Sequence, residues 1–359
     1  MCVYNVVKYL KRRGIECDVC SPYGPEIKIP LGFIKKNYGV LSLLCYWHQV
    51  CKHFRDYASN YDVIWLHQPF LPTRSPFKNC LVTMHTSILD YNKIVQKSTY
   101  PFRLKIYYGL REKIERRCIQ AINHYASYFS AVSPHVASAL EEVGIPRAKV
   151  VYIPNGVDIN KFKPSPHKNR LRKFYGIPEN DLLFTYVGRI TWQKQPFTLI
   201  KFFSKLSQRL KNASLIIVGD GELLNDAKRL ASKLGLKKIL FLGYVGDEEL
   251  PQVYASSDFY IMTSIYEGQP ITVFEAMASG LLPIVSNIPS LRYIVEKSKS
   301  GLILDFNNIE EAVKKTLHFI KKEDIQEHSR RARLFIENNH SWEKITNKYL
   351  QLFSKITKS

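Results

Sequence analysis

The stretch YEGQPITVFEAMASG, residues 266–280, places two carboxylates, Glu267 and Glu275, on either side of a Gly-Gln-Pro turn. The alanine-rich apolar run behind the turn has the character of a helix facing a core. The run just upstream, DFYIMTS (258–264), reads as a strand without polar alternation, hence buried on both faces. Strand, tight turn, helix is one step of a parallel sheet covered by helices.

The same step recurs in both directions along the chain. Upstream, strand readings fall on IECDVCSP, DVIWLHQ, CLVTMHT, YFSAVS and KVVYIPNG; nearer to 266–280 they fall on LLFTYVGRI, SLIIVGDG, KILFLGYV, LPIVSN and GLILDF. Helices are expected at 40–58, 98–125, 196–210, 222–233, 270–279 and 308–320. The fold class is therefore α/β, with two doubly wound Rossmann-like sheets in succession. The turn Asn155-Gly156 and the prolines of KFKPSPHKNR mark a linker over 155–170. Domains are expected at 1–162 and 163–340, with 341–359 as a C-terminal helix capped by Ser341 and crossing back to the first domain.

With 359 residues and 45% apolar content, the chain can fill two such cores. NYGVLSLLCYWHQVC, an uncharged run, is too short and too interrupted to cross a bilayer. No secretory signal is visible, which predicts a cytoplasmic protein. The net charge of +21 points to an anionic partner, or else to a Lys/Arg-rich solvated surface. Seven cysteines, all before residue 119 and irregularly spaced, fit no disulfide framework. Cys17 and Cys20 form a C-x-x-C without a second half, so no zinc set is expected and buried thiols are.

In open parallel sheets, ligands bind beyond the carboxyl ends of strands. After LLFTYVG comes RITWQKQP, which sets Arg189 and Lys194 on one strand-end loop. Such a pair suits a diphosphate, Arg as a planar fork and Lys as a point charge; the alternative is a solvated surface pair. In the opening stretch, Pro270 fits a first helical turn, and the N–H groups of Ile271 and Thr272 make an anion site with the helix dipole. Gly268 permits close approach, while Glu267 and Glu275 could accept from sugar and ribose hydroxyls. The two acids could instead serve only the helix dipole, worth roughly 0.3–1 kcal/mol each. That leaves the Gly-Gln-Pro turn unexplained, whereas a sugar nucleotide accounts for all of these residues.

IPNGVDINKF, VGRITWQKQP, FLGYVGDEELPQVYASSDF and YEGQPITVFEAMASG, in this chain order, resemble the retaining glycosyltransferases of family 4, with their R-x4-K and E-x7-E elements. The resemblance implies a GT-B fold, two Rossmann-like domains facing a central cleft, and transfer of a hexose from a UDP- or GDP-sugar to a glycan or lipid-linked acceptor. By that resemblance Arg189 and Lys194 bind the donor diphosphate, Gly188 allows its approach, and Glu275 holds the ribose. Glu267 holds the transferred sugar with the amides of Gly268 and Gln269, and Tyr244 and Val245 line the base pocket. His85, in LVTMHTS, matches the family's active-site histidine on the acceptor side, so the catalytic set is His85, Glu267, Arg189 and Lys194. Ser133-Pro134 reads as a plain helix N-cap.

No D-x-D occurs, and Asp220-Gly-Glu222 reads as a helix cap. Leaving-group charge is then expected to fall to Arg189, Lys194 and the helix N-terminus, with no metal and no cofactor.

The family opens with a strand and a Gly-Gly turn, whereas this chain begins at the first helix, MCVYNVVKYLKRRG, with Val3, Val6, Val7 and Leu10 on one face. Two expectations follow: a start upstream of Met1, with this chain a truncated or misassigned product, or a degenerate, inactive paralogue; the same truncation gives the alternative function, a non-catalytic nucleotide-sugar binding protein. The helix PFRLKIYYGLREKIERRC (101–118) is basic and amphipathic; it either rests on an anionic membrane surface or turns its apolar stripe to its own core. Nucleic-acid binding has only the charge in its favour, with no recognition motif, and is not expected. Epimerase or phosphorylase chemistry on the same fold fits the motifs less well.

Overall fold

In the computed structural model, residues 2–22, 26–29, 40–70, 77–97 and 102–358 are described. In chain order the strands are β1 (Cys20–Ser21), β2 (Ile27–Lys28), β3 (Ile64–His67), β4 (Cys80–Met84), β5 (Ala126–Ala131), β6 (Val150–Tyr152), β7 (Leu182–Val187), β8 (Ala213–Val218), β9 (Ile239–Gly243), β10 (Phe259–Met262), β11 (Leu282–Ser286) and β12 (Leu302–Leu304). The helices are α1 (Cys2–Lys11), α2 (Val40–His53), α3 (Ile88–Lys97), α4 (Phe102–Ile122), α5 (Pro134–Glu142), α6 (Lys168–Phe174) and α7 (Pro196–Arg209). They continue as α8 (Leu224–Lys233), α9 (Leu250–Ser256), α10 (Ile271–Ala278), α11 (Pro289–Ser298), α12 (Ile309–Lys322), α13 (Ile325–Asn339) and α14 (Trp342–Ile356).

The chain divides into two compact units, Met1–Asn155 with Trp342–Ser359, and Gly156–Ser341. The division falls seven residues before the expected 162. Val157 and Phe162 are buried in the second unit's core, and the Arg333 guanidinium donates to the carbonyls of Ile159 (3.0 Å) and Phe162 (2.6 Å).

The second unit is an all-parallel sheet in the order β12-β11-β10-β7-β8-β9. Strand side chains alternate between two apolar layers. Leu183, Val187, Ile216, Val218, Tyr260 and Met262 meet the helices α9, α10, α11 and α13, while Phe184, Tyr186, Leu215, Ile217 and Phe259 meet α7, α8 and α12. This is the doubly wound order, and its direction reverses between the neighbours β7 and β10. The loops leaving those two strands therefore part company and open a crevice at their carboxyl ends.

The first unit's parallel sheet runs β3-β4-β5-β6. Its faces are covered by α2, α4 and α5 on one side and by α1 with α14 on the other, where Val6 and Leu10 join Trp342, Ile345 and Tyr349. IECDVCSP is not the full strand its composition predicts. Among the described residues, only Cys20–Ser21 pairs, with Ile27–Lys28, in a separate two-stranded sheet. The Val19 N–H donates to the Glu26 carboxylate (3.1 Å), so a side chain takes one ladder group, while Asp18 accepts from the Tyr61 hydroxyl (2.8 Å). Cys17 and Cys20 are half-buried and free, while Cys80 and Cys118 are fully buried free thiols.

Ser133 caps α5 by accepting from the Val136 N–H (3.3 Å). The expected helix 98–125 is described from Phe102 to Ile122; residues 98–101 lie outside the described set. Phe102, Ile106 and Leu110, one helical stripe, are 76%, 56% and 57% exposed, so the N-terminal half of α4 keeps its apolar stripe away from its own core.

Candidate active site

Three loops at the carboxyl end of the second sheet are zipped together by their backbones. The Gly188 N–H donates to Val218 O (3.0 Å), Ile190 N–H to Asp220 O (2.8 Å), and Gly219 N–H to Gly243 O (2.7 Å). Asp220-Gly-Glu222 is therefore no cap. Helix α8 starts later, with Leu223 at its N-cap and no side-chain cap bond, and the Asp220 carboxylate accepts from the Gly221 N–H (2.7 Å). A Cβ on Gly219 would lie 2.0 Å from Gly188 O, and one on Gly221 2.5 Å from Ile190 O.

Across the crevice, the turn Trp192–Lys194 is stitched to the loop after β10. Gln193 accepts through its carbonyl from the Ile265 N–H (3.0 Å) and donates through its side chain to Tyr266 O (2.7 Å). The Thr263 hydroxyl donates to Lys194 O (2.9 Å). Gln195 closes the turn with φ +54°, a left-handed conformation rare outside glycine and asparagine, and its side chain bonds to Trp192 O and Thr198.

These ties bring Lys194 and Glu267, 73 positions apart, into a direct ion pair. Both are largely buried, with side chains 13% and 8% exposed, and Ser290 donates to Glu267 O (2.9 Å). Arg189 is exposed, and its guanidinium makes no hydrogen bond or ion pair among the described residues. Its guanidinium is thus available where the Lys194 ammonium is already held.

Pro270 stands one residue before α10, as its N-cap, rather than in the first turn. The missing N–H is harmless at either place. Ile271 and Thr272 form the first turn, are half-exposed, and have no intrahelical acceptor for their N–H groups. Gly268 and Gln269 are buried beside Glu267. Val245 is packed into the core, whereas Tyr244 is 81% exposed.

Glu275 is 3% exposed, and one of its oxygens accepts from the Tyr254 hydroxyl (3.0 Å). Burial pushes its carboxyl up to about 7, against the Tyr254 bond, which favours the charged form. A carboxyl whose folded value lies above its unfolded 4.5 destabilises the fold as it ionises, beginning above pH 4.5 and in full above pH 7. Glu275→Gln is therefore expected to raise thermal stability at pH 8 by on the order of 2–3 kcal/mol and to change little at pH 4.5. Melting curves at the two pH values check this, and a loss of stability at pH 8 contradicts it.

In the first unit, His85 follows β4 and is half-buried. Its Nε2 lies 2.9 Å from Nδ1 of the half-buried His67, with the rings stacked at 15°. Burial lowers both imidazoles, His85 to about 4, so the pair is neutral near pH 7. Gln68, at φ +46°, accepts from the His85 N–H (3.1 Å) and donates to Glu115 (2.8 Å), a buried carboxyl pushed up to about 7. The partners His67, Gln68 and Glu115 were not anticipated. His67 is the last residue of β3 and Gln68 the first after it, the same strand-end signal that singled out His85.

Family profiles cover almost the whole chain: "Glycosyltransferase Family 4" matches residues 1–161 and "Glycosyl transferases group 1" residues 167–341. The chain belongs to the family 4 glycosyltransferases, with the GT-B fold. It is 35% identical over 176 residues to the UDP-Gal:alpha-D-GlcNAc-diphosphoundecaprenol alpha-1,3-galactosyltransferase of Escherichia coli, covering 48% of this chain and 45% of that one. The chain spans about half the length of the first curated relatives it matches. Among solved structures, a Rickettsia africae glycosyltransferase aligns with a TM-score of 0.73 at 23% identity, over 99% of this chain and 94% of that one. HepE of Anabaena, in complex with UDP, aligns with a TM-score of 0.69 at 18% identity, over 86% and 82%.

Proposed function

We propose that the protein is a retaining hexosyltransferase that takes a nucleoside-diphosphate sugar and passes the sugar to a lipid-linked glycan without a divalent metal. The single observation that carries this reading is the Lys194–Glu267 pair in the crevice between β7 and β10, beside the free N–H groups of α10. A donor diphosphate takes the place of Glu267 beside Lys194, and the released carboxylate accepts from a sugar hydroxyl. Arg189, Lys194 and the α10 N-terminus then neutralise the charge that grows on the departing diphosphate. The free oxygen of Glu275 suits a ribose hydroxyl, and Tyr244 with the Val245 backbone suits the base. His85, neutral and held by His67, serves the acceptor side as a hydrogen-bonding group rather than a cation. The bound UDP of HepE and the diphosphoundecaprenol acceptor named for the Escherichia coli relative support the donor and acceptor classes.

The exposed apolar stripe of α4, flanked by Arg103, Lys113 and Arg117, suits an anionic bilayer surface, where a lipid-linked acceptor resides. No helix among the described residues is long and apolar enough to cross a membrane.

A thermal-shift panel of UDP- and GDP-hexoses, run with and without EDTA, tests the donor. One nucleotide sugar is expected to raise the melting temperature equally in both conditions. A shift that requires Mg²⁺ or Mn²⁺ contradicts metal independence. Replacing Phe102, Ile106 and Leu110 together by Ser is expected to lower binding to vesicles containing phosphatidylglycerol at least tenfold. Unchanged binding contradicts the membrane surface.

A further inference from the structure

The loop that carries Arg189 is gripped from below by two buried hydroxyls. Tyr186 and Tyr260 are fully buried, and they belong to opposite apolar layers of the second sheet. Tyr186 donates to the carbonyl of Arg189 (2.9 Å). Tyr260 lies 3.2 Å from the carbonyl of Val187 and 2.8 Å from Oγ1 of Thr272. The two carbonyls they hold flank Gly188 on either side. Gly188 itself has φ +159°, a backbone conformation that L side chains rarely adopt, and a Cβ there would lie 3.0 Å from the Tyr186 hydroxyl oxygen. Space under the loop is thus taken by the hydroxyl that pins it.

Proton accounting sharpens the picture. A phenol has one proton, and a carbonyl can only accept. For both Tyr260 contacts to be hydrogen bonds, Tyr260 donates to Val187 O and accepts from the Thr272 hydroxyl. Thr272 spends its hydroxyl proton inward and keeps its backbone N–H for a ligand. One chain, Thr272 to Tyr260 to Val187, then fixes the distance between the first turn of α10 and the end of β7, the two walls of the crevice.

We propose that Tyr186 and Tyr260 are positioning residues for the diphosphate of the donor: they touch no ligand, yet they set the Gly188–Arg189 backbone and the α10 N–H groups at a separation that a nucleoside diphosphate bridges. The proposal rests on the donor reading given above.

Tyr186→Phe and Tyr260→Phe remove one oxygen each and leave the rings in place. Each is expected to weaken UDP (or GDP) binding about tenfold, the worth of one displaced charge-assisted contact, and to raise the donor KM in parallel with kcat within about twofold. Uridine (or guanosine), which lacks phosphates, is expected to bind both variants as it binds the parent. Tyr254→Phe, which acts on Glu275 and the ribose instead, is expected to weaken the nucleoside and the nucleotide alike. Calorimetric titration of the parent and the three variants decides the matter. Parent protein that binds neither UDP nor GDP overturns the donor reading itself. Parent binding with unchanged UDP and GDP affinity in a folded Tyr186→Phe or Tyr260→Phe overturns only the positioning role. The hydroxyls act from opposite faces of the sheet, so a variant that does not fold leaves the other as the test.

Discussion

Lys194→Met is expected to cut transfer at least 100-fold and, separately, to destabilise the fold by about 3–5 kcal/mol. The two losses have different origins. Catalysis falls because a positive charge is gone from where the leaving diphosphate gathers negative charge. Stability falls because Glu267, 8% exposed and bonded to Lys194 in the free protein, is left as an uncompensated buried anion. The double variant Lys194→Met/Glu267→Gln separates them: it is expected to regain most of the lost stability, because neither partner is then a stranded charge, and none of the activity. Denaturant melts beside initial-rate assays give both numbers. Recovery of activity together with stability means that the pair serves the fold and not the donor.

Gly219→Ala is expected to be the most disruptive single methyl in the second unit. Its Cβ meets Gly188 O at 2.0 Å, backbone against backbone, and φ +128° is strained for any L side chain. Relief requires the loop after β7 or the loop after β8 to move, so stability should fall by about 3 kcal/mol or more and the donor KM should rise at least tenfold. Gly301→Ala is the control. Its Cβ meets Pro283 O at 2.3 Å with φ +99°, a comparable clash, but Pro283 lies near the start of β11, at the other end of the sheet. It should cost similar stability and leave the donor KM unchanged. Equal KM effects from the two glycines would show that the site responds to stability in general and not to the loop.

What could be read along the chain was what is local to it. Arg189 and Lys194 share one loop, and Glu267 and Glu275 bracket one turn, so their spacing and their strand-end position were visible without a structure. Burial by uncharged strands gave the second sheet, because a parallel strand covered on both faces has no polar alternation to confuse it. The Lys194–Glu267 bond was hidden, since it depends on β7 and β10 being neighbours although β8 and β9 separate them in the chain. The hydroxyls of Tyr186, Tyr254 and Tyr260 were hidden for a similar reason: in a run such as LLFTYVG a tyrosine reads as one more core ring, and only the fold shows which carbonyl or carboxyl its oxygen meets. IECDVCSP misled because its composition suits a strand, while the Glu26 carboxylate takes the Val19 N–H. Asp220 misled likewise, as an acid before a helix whose true task is to turn the chain under Gly221 and Ile190.

The most direct test of the central claim is calorimetric titration of the nucleotide sugar that binds, and of its bare nucleoside diphosphate, into the parent, Arg189→Ala and Glu267→Gln. Arg189→Ala is predicted to weaken both ligands at least tenfold, and Glu267→Gln to weaken the nucleotide sugar much more than the bare diphosphate. Undiminished binding of the diphosphate to Arg189→Ala, or equal effects of Glu267→Gln on the two ligands, would contradict the assignment of phosphate to the cations and sugar to the acid.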